Sequence, residues 1–160
     1  MNIQGIAKII FLKKEIKSKI RCVLTLLVGK DEFKVTLIQS KSKKNIETLN
    51  RIIYNENRIC FEGYFDENGL IQLTSFSQAY LEPLYTKVTY KGKVISYNSV
   101  ESIIEVNLEN DVSSKGECTL IAKAFSSCKE GIDFIKSKLY GEVSFEGQIH
   151  NNAIFISKFI

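Results

Sequence analysis

The sequence predicts a mainly β protein built from two similar units, each a small β-barrel with one short helix. Three observations carry that prediction. Apolar residues alternate with polar ones along many short segments, an amphipathic helical stripe occurs once in each half, and the order of segments recurs along the 160-residue chain. Phe61-Glu62-Gly63 returns as Phe145-Glu146-Gly147 after 84 positions, and Ile46, Leu49, Ile53 and Tyr54 return as Ile132, Ile135, Leu139 and Tyr140 after 86. Thr36-Leu37-Ile38 returns as Thr119-Leu120-Ile121 after 83, and Gly5 and Gly92 open matching segments. The order holds while the offset drifts, as changes in loop length between duplicated domains would produce.

In the first unit, "IQGIAKIIFL" and "KIRCVLTLLV" read as strands, "GKDE" as a tight turn and "FKVTLIQS" as a third strand. "NIETLNRIIY" reads as a short helix, with Asn45 as its N-cap and Ile46, Leu49, Ile52 and Ile53 on one apolar stripe. "RICFEGYF" is a fourth strand, "DENG" a hairpin turn in which Gly69 is free to take positive φ, and "LIQLTSF" a fifth strand. The second unit follows suit: "GKVISYNS", "ESIIEVNLEN" and "ECTLIAKAF" are strands, "KEGIDFIKSKLY" a helix, and "EVSFEGQI" and "AIFISKFI" closing strands.

Three strands, a helix and two more strands is the order of an OB-fold barrel. On these segments the chain resembles a tandem pair of OB folds, similar to single-stranded DNA-binding proteins, over nearly its whole length. A glycine in the fourth strand, Gly63 or Gly147, suits a barrel strand that bends. The chain departs from the bacterial single-strand-binding pattern in having no tryptophan, no glycine-rich linker and no acidic C-terminal tail. The expected division is a basic barrel over residues 1–82, a packed connector over 83–89 and a neutral barrel over 90–160. "SQAYLEPLYTKVTY" holds the only proline, Pro83, and is too apolar for a flexible linker, so Leu81, Leu84 and Tyr85 are expected to pack between the barrels.

Charge separates the halves. Residues 1–86 hold 13 basic and 9 acidic residues, and residues 87–160 hold 9 of each. Between Lys8 and Lys44 there are 11 basic residues against 3 acidic ones. Lys13, Lys14, Lys17 and Lys19 cluster where strand one turns into strand two, and Lys41, Lys43 and Lys44 lie between strand three and the helix. The OB resemblance implies that nucleic acid lies across strands two and three, flanked by the 1–2 and 4–5 loops. Alternation places Ile20, Cys22, Leu24 and Leu26 inside the barrel and Lys19, Arg21 and Thr25 outside. In strand three it places Val35 and Leu37 inside and Lys34, Thr36 and Ile38 outside. Such cations neutralise phosphates without reading sequence. Tyr64, outward beside the 4–5 hairpin, is the leading base-stacking platform, while alternation assigns Phe11 and Phe65 to the core. In the second unit Lys123 and Phe125 take the outward phase of strand three. Phe61 and Phe145 are core residues, and Tyr54 and Tyr140 structural residues ending matching helices.

Catalytic patterns are missing from the sequence. The lone histidine, His150, lies in the turn "GQIHNNA", with no second histidine to share a metal. There is no phosphate-cradling glycine loop and no nucleophile elbow. Glu62 and Glu146 recur as exposed strand residues in separate units rather than as a carboxylate pair. The four cysteines show no CxxC spacing and read as reduced and structural, and no segment has a transmembrane or signal-peptide pattern. The expectation is a non-catalytic, cofactor-free cytoplasmic protein that binds single-stranded DNA, or RNA, without sequence preference, in replication, repair or a mobile element. Its second barrel would extend the binding track, or bind a protein partner or another copy of the chain. The alternative is a protein–protein interaction module in which the lysines confer only solubility.

Overall fold

The computed structural model describes residues 1–16, 20–39, 43–66, 69–100, 103–108, 120–125, 142–151 and 153–160. It divides into two compact units. One comprises Ile3–Tyr64 and Leu70–Thr86, and the other Met1–Asn2, Phe65–Gly69 and Lys87–Ile160.

The N-terminal unit holds β1 (Asn2–Ile16), β2 (Ile20–Val28), β3 (Asp31–Gln39), α1 (Lys43–Asn55), β4 (Arg58–Phe65) and β5 (Ile71–Gln78). The strands pair in the order β2-β3-β5-β4-β1, and β1 pairs back onto β2, closing a five-stranded barrel with one short helix. This is the arrangement of an OB fold. Val35 and Thr36 of β3 pair in parallel with Ile71 and Gln72 of β5. Closure removes free sheet edges. Leu24, Leu26, Val35, Leu49, Ile52, Ile59 and Phe61 are buried almost completely, and the rings of Phe33 and Phe61 pack in a tilted arrangement at a centroid distance of 6.0 Å.

Local chemistry accounts for the connections. Val28 faces Asp31 across β2 and β3, leaving the two-residue turn Gly29-Lys30. Gly29 has φ 62° at the position where type II′ hairpins favour glycine. Gly69, at φ 74°, donates its amide to the Asp66 carbonyl at 3.0 Å and closes the expected β4–β5 turn. A Cβ on Gly63 would meet the Gln72 carbonyl oxygen of β5, so the expected strand-four glycine permits that close backbone approach. Helix α1 starts at Lys43, which places Asn45 inside the first turn rather than at the N-cap. Its stripe is as expected, with Leu49 and Ile52 buried and Ile46 and Ile53 half-buried. Tyr54 lies off that stripe and is 90% exposed, so it is no structural anchor.

The described strands of the other unit are β6 (Tyr85–Val100, whose first two residues belong to the N-terminal unit), β7 (Ile103–Leu108), β8 (Leu120–Phe125), β9 (Glu142–His150) and β10 (Ala153–Phe159). Here β6 pairs with β7 and β9, β7 with β8, β8 in parallel with β10, and β10 with β9. Tyr90 packs on the buried Phe145 at 5.3 Å, beside buried Val88, Val143 and Ile154. A Cβ on Gly147 would meet the Phe155 carbonyl oxygen of β10. The helix expected over 129–140, with Tyr140, lies outside the described residues.

β6 begins seven residues earlier than expected, at Tyr85. The connecting segment does not form the packed apolar spacer anticipated: Leu81 is 88% exposed, Tyr80 and Tyr85 are exposed, and only Leu84 is half-buried. Polar bonds hold this stretch instead. Arg58 donates a guanidinium hydrogen bond to the Glu82 carbonyl at 3.2 Å, and the Tyr80 amide donates to the Glu82 carboxylate at 2.7 Å. Hydrogen bonds from the backbone amides of Glu82 itself and of Tyr80 hold the Glu82 carboxyl below its usual pKa, with a smaller contribution from the Arg58 charge.

Candidate nucleic-acid interface

The barrel wall formed by β1, β2 and β3 can be read row by row from its register. Opposed residues in antiparallel strands project to the same face, and the inward residues of β2 are the buried Cys22, Leu24 and Leu26. Val23 lies between Lys13 and Thr36, and Thr25 between Phe11 and Lys34. Arg21 lies between Glu15 and Ile38. All three rows have the outward phase.

Phe11 is the residue that alternation misassigned. Ile9 opposes the inward Leu26, so strict alternation would carry Phe11 into the core. The β1–β2 register shifts between Ile9 and Phe11, and this bulge at Ile10 inverts the phase of everything that follows. Phe11 consequently faces out, 60% exposed, opposite Thr25 and in the same row as Lys34. Ile10, the extra residue, is exposed as well. The sequence carried one signal for this: "KIIFLKK" stacks four apolar residues in a row before the lysines, a run that cannot alternate without a break. Phe65, by contrast, is buried as expected.

The predicted cations divide by phase. Lys13, Arg21 and Lys34 are exposed on the outward face with Phe11. Lys14 opposes Cys22 and so has the inward phase, emerging at the barrel end rather than on the wall. Burial pushes the Cys22 thiol up in pKa, and the Lys14 charge partly offsets that. Lys13 and Lys14 belong to strand β1 and not to a loop, because β1 runs on to Ile16. Lys17, Lys19 and Lys41 lie outside the described residues, as do the side chains of Lys43 and Lys44, whose backbone forms the first turn of α1. Tyr64 is half-buried on the outward phase of β4, which flanks β1 on the side away from β2. In the C-terminal unit the Lys123 backbone stands opposite Glu105, and that of Phe125 opposite Ile103. Their side chains lie outside the described residues.

Two features bound the open wall. Thr36 has the outward phase yet is buried, as is its β5 neighbour Gln72, which interrupts the accessible surface of β3. Glu15 is the one acidic residue in the three rows among the described residues, and its Oε1 lies 3.3 Å from Lys13 Nζ. An exposed aromatic ring within a field of cations can stack a base while amines meet phosphates. No group of three or more potential metal ligands occurs among the described residues, and no described helix is long and apolar enough to cross a membrane.

No family model matches the chain, and no curated protein sequence matches it. The wild-type single-stranded DNA-binding protein from Thermus aquaticus is similar in structure, with a TM-score of 0.68 at 10% identity over 99% of this chain and 91% of that one. A deletion mutant of the same protein gives 0.67 at 10% identity over 99% and 92%. At that identity the likeness defines the fold class: an OB-fold barrel architecture shared with single-stranded DNA-binding proteins.

Proposed function

We propose that the chain is a non-catalytic protein that binds single-stranded DNA without sequence preference on the outer wall of β1, β2 and β3. The observation that carries this reading is the exposed Phe11 ring placed by the Ile10 bulge among Lys13, Arg21 and Lys34. Phe11 stacks a base, the three cations take phosphates, and Tyr64 on β4 offers a second ring beyond β1. The Thermus aquaticus protein of matching fold is a single-stranded DNA-binding protein, which supports this reading.

The C-terminal unit is read as a diverged copy of the first barrel, and four internal correspondences support this. The first strand bulges against the second in both, between Ile9 and Phe11 and between Val94 and Ser96. Gly63 and Gly147 meet the carbonyl oxygens of Gln72 and Phe155. Those two residues are also the parallel partners of Thr36 and Lys123. Thr74 and Ser157 donate hydroxyl hydrogen bonds to the carbonyls of Glu62 and Glu146, at 3.0 and 3.1 Å. The neutral copy extends the track weakly or makes protein contacts, in cytoplasmic replication or repair. Exposed Tyr80, Leu81 and Tyr85 favour a second reading, in which the chain is chiefly a protein-interaction module.

Fluorescence anisotropy of labelled oligo-dT and of a matched duplex, at low and physiological salt, separates the two. Salt-sensitive binding that favours the single strand supports the interface, with log Kd changing by about 0.7 per log unit of salt for each phosphate contact. Absence of binding to either at low salt refutes it and leaves the interaction module.

A further inference from the structure

We propose that Glu15 is a built-in competitor for the nucleic-acid backbone, and that its carboxylate sets both the affinity and the salt response of the β1–β3 wall. The inference rests on the reading of that wall as a single-strand interface. Glu15 stands next to the end of β1, on the phase that the Ile10 bulge turned outward. Lys13 is two residues back on the same face, with its Nζ 3.3 Å from the Glu15 carboxylate. Arg21 is its direct partner across the β1–β2 ladder, where opposed side chains are close neighbours. One carboxylate is therefore flanked by two of the three cations available for phosphate.

The two side chains differ in access. Lys13 is 61% exposed and Glu15 28%, so the lysine extends outward while the acid sits lower, against the wall. A strand arriving on this face meets an amine whose charge is already compensated. To seat a phosphate on Lys13, the carboxylate must give up its ion pair and then remain beside a second anion. Two effects follow. Repulsion lowers affinity, and the Lys13 contribution to counterion release is muted because a fixed carboxylate already occupies the counterion's place. Lys34, two rows away beside Phe11, has no carboxylate in its own row; the exposed Glu32 lies two residues along β3 in the row beyond.

The test is Glu15→Gln, which keeps the shape of the side chain and removes its charge. Binding of labelled oligo-dT is measured across a salt series for wild type, E15Q, K13Q and the double variant, with circular dichroism and urea midpoints to establish that each is folded. E15Q should bind about three- to tenfold tighter at low salt, the size of one like-charge repulsion screened by water. Its log–log salt slope should steepen by about 0.7, one additional phosphate contact. K13Q should weaken binding in both backgrounds, by a several-fold larger factor in E15Q than in wild type, a coupling read directly from the double-mutant cycle. Unchanged or weaker binding by a folded E15Q with an unchanged slope overturns the proposal while leaving the interface intact. If neither wild type nor E15Q binds oligo-dT at low salt, the interface reading fails and this inference falls with it.

Discussion

Replacing Phe11 by alanine separates stacking from charge. The ring is 60% exposed, so of the roughly 200 Å² that a phenylalanine presents only about 80 Å² is covered, worth at most ~2 kcal/mol of stability at about 25 cal/mol per Å². The variant should remain folded. Loss of one stacked base removes about 1–3 kcal/mol of binding, a roughly five- to 150-fold weaker Kd for oligo-dT. Because phenylalanine carries no charge, the log–log salt slope should match wild type, so the two curves run parallel. Anisotropy over four or five salt concentrations measures both quantities at once. Wild-type affinity in a folded F11A would refute the assignment of Phe11 as a platform. A reduced slope would show instead that Phe11 acts by holding the neighbouring lysines.

Further outcomes follow from the same geometry. Lys34→Glu should flatten the salt slope by more than about 0.7, the weight of one phosphate, whereas Lys14→Glu, on the inward phase, should change it less; equal effects would refute the division by phase. Leu24→Ala should lower stability by about 2–5 kcal/mol in urea unfolding, because it empties a fully packed site, and Gly63→Ala by about 1–3 kcal/mol, because its Cβ meets the Gln72 carbonyl oxygen. Alkylation followed by peptide mapping near pH 8 should label exposed Cys60 first and buried Cys22 only on unfolding. The Cys22 thiol has a raised pKa in the folded state, so its contribution to stability is complete below the pKa of the unfolded thiol. It should decline as pH rises through the folded value, lowering the urea midpoint above about pH 9.

Much of the barrel was legible because its signals are local. Ile59, Phe61 and Phe65 fall on every second position of Arg58–Phe65 and are buried, and the strand has the boundaries expected of it. The Gly29 and Gly69 turns follow from the positive φ that each requires. The basic bias of the first half was equally plain, but its division into wall and barrel end was not. Lys13 and Lys14 are adjacent in sequence, and only the register against Val23 and Cys22 assigns them opposite phases. Phe11 was hidden for the same reason, since a bulge is a property of two strands together and alternation describes only one. The early start of β6 was masked by Pro83, which made the apolar residues around it read as a packed connector until pairing recruits those from Tyr85 onward into a ladder.

The bulge at Ile10 also divides one strand into two independent tasks. Residues 3–9 of β1 serve the interior, with Ile3, Ala7 and Ile9 buried, while Phe11, Lys13 and Glu15 serve the surface. Because the inversion lies between them, substitutions on one side leave the pattern of the other untouched. Deletion of the single residue Ile10 would send Phe11, Lys13 and Glu15 inward and bring Leu12 and Lys14 out, exchanging the proposed binding face for a different one in a single genetic step. The bulge thereby makes this surface both separately tunable and abruptly lost.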